Sequence, residues 1–167
     1  MDAKTYLTKQ LKSMWSLQKS SLESVTDAVL MQKPAGTLSP IGVIWLHMLN
    51  SQDNFTAMLS GKTTLWRRGW AETFGLEKAP DIGEDWTPYY GTPLTVEQLR
   101  AYEEAVHAFT QATLDALDEH SLDETVKMFT DQDPKADVWA LMITHTLIHC
   151  GEIAATKGMF GGQGLPF

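Results

Sequence analysis

The stretch Trp139–Phe160, WALMITHTLIHCGEIAATKGMF, decides how the chain is read. It holds His145 and His149 four residues apart in a segment with helical spacing. At about 100° per residue, two side chains so placed point about 40° apart and lie one turn apart along the axis. Two imidazoles in that relation can grip one metal ion, as they do in helical zinc motifs. Taken alone, the pair reads rather as two ordinary histidines near a core, so the weight falls on a third ligand elsewhere.

Working outward, Asp133-Pro134 reads as the cap and first turn of this helix, and Gly158, Gly161, Gly162 and Gly164 break it after about Lys157. Val138, Leu141, Met142, His145, Ile148, His149 and Glu152 share one broad face. Leu165 and Phe167, beyond the glycines, are expected to dock on the helices. Upstream, Ser39-Pro40 opens another helix, with the Ser39 hydroxyl as N-cap, and Gly61 closes it. Its buried face carries Ile41, Ile44, Met48, Phe55, Met58 and Leu59, and His47 lies on or beside that face. Asp53, about 120° around from His47, is a poor partner for it.

Two more amphipathic segments complete the count. From about Asp2 to Met31, Leu7, Leu11, Met14, Leu22, Val25 and Val29 recur at three- and four-residue steps. From Thr95, whose Thr-x-x-Gln spacing to Gln98 matches a capping box, Leu99, Tyr102, Val106 and Phe109 form an inner stripe to about Leu117. Arg100, Glu103, Glu104 and His107 fall on the polar face, which places His107 in solvent, and His120 sits near the frayed end. Residues 121–133 read as a linker with one short extended run, Thr125 to Thr130.

Residues 60–94 differ in kind, carrying Gly and Pro together with Trp66, Trp70, Phe74, Trp86, Tyr89 and Tyr90. So long a connection is uncommon in a compact domain, and its aromatic content argues against disorder. It reads as a packed crossover that lets the second and third helices run parallel. The expected architecture is all-α: one four-helix bundle domain over residues 1–167, with a long aromatic-rich crossover between helices 2 and 3.

Composition narrows the function. The 167 residues are 43% hydrophobic and 20% charged, with a formal net charge of −8. That balance speaks against nucleic acid as a partner, since phosphate tracking needs clustered cations. The one cysteine, Cys150, cannot form an internal disulfide, which fits a reducing compartment. With no secretory pattern at the start and no apolar run of membrane-spanning length, the expected location is the cytoplasm, with no membrane partner. Cys150 points off the histidine face and reads as an inert, buried thiol.

His47, His145 and His149 have the chemistry of a three-histidine site, since neutral imidazoles suit zinc, nickel, copper or iron(II). Three protein ligands leave a position open for water or substrate. The runs IGVIWLHMLNSQDNF and THTLIHCGEIAATKGMFGGQGLPF resemble the DinB/YfiT-like superfamily of metal-binding four-helix bundles, which includes thiol-dependent transferases of the mycothiol and bacillithiol type. The superfamily pattern, one histidine on helix two and H-x-x-x-H on helix four followed by Gly and an acidic or amide residue, reads here as His47, His145, His149, Gly151 and Glu152.

The resemblance implies a divalent transition metal (zinc, nickel or iron) on those histidines, and a small thiol and an electrophile as partners in S-transfer. It also implies a homodimer. A non-catalytic metal-binding bundle in a stress response, and a metal-dependent hydrolase, are the competing readings. Glu152 reads as a carboxylate that orients a histidine or accepts a proton, or as a solvated carboxylate near the helix end.

Overall fold

A computed structural model of the chain describes residues 1–165; the docking expected of Phe167 lies outside them. Six α-helices occur among these residues: α1 Ala3–Ser21, α2 Asp27–Leu30, α3 Ile41–Ser60, α4 Trp70–Phe74, α5 Val96–Asp115 and α6 Lys135–Met159. The four long ones are the expected bundle. Among the described residues, strand structure is limited to an antiparallel pairing of Thr125–Val126 with Asp133–Pro134.

Side-chain pairings fix the helix directions. Asp53 meets Tyr102 and Thr56 meets Thr110, so α3 and α5 run parallel, as the long crossover requires. His47 meets His145 and Thr56 meets Met142, so α3 and α6 are antiparallel. Lys4 reaches the Asp115 carbonyl while Arg100 reaches that of Leu22, so α1 opposes α5. α6 packs between α1 and α3 and buries Val138, Trp139, Met142 and Ile153 there. By length and hydropathy α6 is apolar enough to cross a membrane, contrary to the sequence reading, but these contacts are those of a bundle helix.

The core has two parts. One gathers Leu11, Met14, Val138, Trp139 and Met142. The other joins Trp45, Met48, Tyr102 and Ile153 with crossover residues such as Trp66 and Phe74.

Local structure departs from expectation at several points. The first helix does not reach Met31: it stops at Ser21, and Ser24 takes a left-handed φ of 68° before α2. The Ser39 hydroxyl does not cap α3. It shares a hydrogen bond with the Tyr90 hydroxyl, and Pro40 stands at the cap. Asp133 does not cap α6 either, because its carboxylate accepts from the backbone N–H groups of Met128, Phe129 and Thr130. The capping box of Thr95 and Gln98 forms as read.

On α5, Glu103 is buried, taking hydrogen bonds from Gln18 and Arg100. His107 is drawn from solvent onto the Trp15 ring at 4.7 Å, in the groove between α1 and α5. Ile148, placed by spacing on the inner face of α6, is 63% exposed.

Candidate metal centre

The three histidines meet between α3 and α6. His145 Nε2 lies 3.1 Å from His47 Nε2 and 3.2 Å from His149 Nε2. One ligand atom from each ring falls within 4.8 Å of the other two. Three nitrogens bound tetrahedrally to one ion at about 2.0–2.1 Å would stand about 3.3 Å apart, so the two measured separations fit a shared ion.

Hydrogen bonds on the far sides of the rings decide which nitrogen is free. His47 Nδ1 is 2.9 Å from the Pro80 carbonyl, which can only accept, so Nδ1 carries the proton. His149 Nδ1 likewise faces Glu152 Oε2 at 2.8 Å. Both rings therefore turn an Nε2 lone pair toward His145.

A neutral His145 has one proton and can satisfy at most one of those lone pairs, and its own Nδ1 is buried without a partner. Protonating it is disfavoured: burial first, then the His149 and His47 rings, push its pKa down to about 3. Burial also lowers that of His47. Converging lone pairs without enough protons are satisfied by a cation, and imidazole nitrogens select a transition metal.

Aromatic rings wall the cluster. Trp86 lies over His47 at 4.4 Å and 6.2 Å from His149, with its Nε1 donating to the Asp81 carbonyl. Phe55 stands 6.0 Å from His145. The His149 and Glu152 side chains keep 11% and 27% exposure, which leaves solvent access on that edge.

The sequence picked out His47, His145, His149 and Glu152, and the fold brings all four together. Glu152 is already engaged on His149 Nδ1, which favours orienting the ring over accepting a proton. Pro80 and Trp86 went unrecognised. Both come from the crossover, and no spacing within that stretch points to α3. Cys150 is fully buried on the other side of α6, and burial pushes its thiol up to about 11. Asp53 is also fully buried. It turns from the histidines to accept from Leu65 N, Trp66 N and the Tyr102 hydroxyl.

Comparisons with known proteins agree with this architecture. Residues 10–153 match a family described as the DinB superfamily. Among solved structures, a conserved protein from Enterococcus faecalis superposes with a TM-score of 0.77 at 22% identity, covering 95% of this chain and 97% of that one. At that identity the likeness speaks for the fold alone. No curated protein matches the chain.

Proposed function

The chain belongs to the DinB superfamily, and from that membership and the histidine geometry we propose that it binds one divalent transition metal and serves metal-dependent S-transfer. His47, His145 and His149 are the ligands, through their Nε2 atoms. The carrying observation is the convergence of those nitrogens at 3.1 and 3.2 Å while the opposite nitrogens of His47 and His149 are committed to acceptors.

A bound ion supplies positive charge that favours the thiolate form of a small thiol at neutral pH. The chain's own residues do the rest. Pro80 and Glu152 fix two imidazole tautomers, and Trp86 with Phe55 keeps one side of the cluster apolar. Three protein ligands leave room for an exogenous group, the arrangement of reactive rather than structural metal sites. The reaction class is attack of a small thiol's sulfur on an electrophilic carbon, forming an S–C bond as the electrophile's leaving group departs and the thiol proton passes to solvent, in detoxification or a stress response. The setting is cytoplasmic and the chain a homodimer.

The test is metal analysis of the purified chain, stripped with chelator and reloaded with zinc, nickel or iron(II). Wild type should retain one ion per chain, and His47→Ala and His145→Ala should each lose it. Unchanged metal content in His47→Ala would refute the site. With metal retained, turnover of a model electrophile by small thiols should fall at least tenfold in His149→Ala; equal rates would remove metal catalysis and leave a non-catalytic bundle.

A further inference from the structure

Two consecutive carbonyls of the crossover act on one imidazole. That of Pro80 accepts from His47 Nδ1 at 2.9 Å, and that of Asp81 accepts from Trp86 Nε1 at 2.8 Å. The second bond holds the indole over the His47 ring, 4.4 Å between centroids, and 6.2 Å from the ring of His149. The segment that carries the indole is otherwise on the surface. Of residues 81–88, only Trp86 turns inward.

The loop that delivers it is braced from within. Gly83 takes a left-handed φ of 76°, which lets Glu84 N return to the Asp81 carbonyl. Asp81 Oδ1 accepts from Ile82 N, and Lys78 pairs with Glu84 across the base. The carbonyl that orients a ligand and the carbonyl that orients the indole over it thus belong to one short, bonded unit.

His47 is only 1% exposed although this surface loop is its neighbour. The indole is what separates the ring from water on that side. Three imidazoles alone leave more than one position that solvent could fill, since even zinc expands from four ligands to five. A water held in a protein site is normally fixed by about three hydrogen bonds. The Trp86 face, and the Phe55 ring 6.0 Å from His145, offer only weak contacts to its hydrogens.

We infer that Trp86 restricts the centre to one exogenous ligand. The indole fills the space beside His47 where a second would enter, and leaves approach from the exposed edge at His149 and Glu152. A single position keeps solvent from competing with the group that enters. This role rests on the metal reading of the three histidines and adds to it the residue that sets the number of open positions.

The test uses the full chain loaded with cobalt(II), as wild type, Trp86→Ala and Trp86→Phe, each followed by metal content, visible absorption and tryptophan emission. Four-coordinate cobalt absorbs strongly in the visible, and cobalt with more ligands absorbs weakly. Wild type should bind one cobalt, absorb strongly and lose emission on loading. Among the described residues, Trp86 is the one of the chain's six tryptophans that packs on a ligand ring. Trp86→Ala should keep one cobalt and show the weak spectrum of a centre opened to further water. Trp86→Phe, which retains a ring over His47, should keep the strong spectrum while losing most of the quenching. A strong spectrum in Trp86→Ala, a weak one in wild type, loss of cobalt from Trp86→Ala, or quenching that survives in Trp86→Phe would overturn the assignment. The metal centre and the role of Trp86 fail separately. Wild type without bound cobalt removes both, whereas bound cobalt with a spectrum indifferent to residue 86 removes only the second.

Discussion

The Glu152 carboxylate accepts from His149 Nδ1 and so decides which nitrogen of that ring is available. Removing it in Glu152→Ala leaves Nδ1–H without an acceptor and frees the ring to change tautomer. Loss of such a supporting group costs about 10- to 100-fold in metal affinity. Competition with a chromophoric chelator should show a loss of that size for Glu152→Ala and a much smaller one for Glu152→Gln, whose Oε1 still accepts. Equal losses would mean that charge, not the hydrogen bond, is what His149 requires. The Pro80 carbonyl does the same for His47, but being backbone it cannot be removed by changing a side chain.

At the scale of elements, Asp53 joins three segments. Buried on α3, it accepts from the Leu65 and Trp66 backbone at the start of the crossover and from Tyr102 on α5. Burial raises its pKa, and the three donors oppose that shift. Asp53→Ala would strand those donors, at about 1–3 kcal/mol each when fully buried and less than additively. Urea unfolding should show a loss of about 3 kcal/mol. Asp53→Asn should fall between, since its NH2 must face at least one donor. A loss below about 0.5 kcal/mol in Asp53→Ala would show that the crossover is anchored by its aromatic packing instead.

The four long helices were legible because their stripes follow a 3.6-residue period, and the histidine set because the H-x-x-x-H spacing and the superfamily pattern coincide. The crossover's part was not. Trp66 and Trp70 pack with Phe74 and Tyr102, whereas Trp86 covers His47, and nothing in the crossover's composition separates the three. Asp53 and Glu103 read as ordinary polar positions because Tyr102 and Gln18, which meet them in the core, lie far along the chain, where periodicity carries no information. His107 was misplaced for a related reason: its neighbour Trp15 belongs to another helix.

For the whole molecule, His107 makes stability depend on pH. Burial, with Arg100 adding to it, lowers its pKa from 6.5 to about 4. Above 6.5 neither folded nor unfolded chain protonates this ring, and its contribution is complete. As pH falls from 6.5 toward 4, the unfolded chain takes up a proton that the folded chain refuses, so stability declines. His145 acts in the same sense in metal-free protein. Thermal unfolding of chelator-treated protein should show Tm dropping over that interval, with His107→Phe flattening part of the slope. The share due to His107 is at most about 3 kcal/mol, from 1.36 kcal/mol per unit. A parallel slope in the variant would assign the dependence to other groups.

The pairing of α3 with α6 has a consequence in time. His47 and His145 are 98 positions apart, and the second lies on α6, which is made after α3 and α5. A nascent chain that has exposed α1 through α5 has one of the three ligands, in a bundle missing the helix that fills it. Capture of an ion between these helices would therefore wait until α6 has been made, and would come with docking of α6 rather than guide the earlier helices into place.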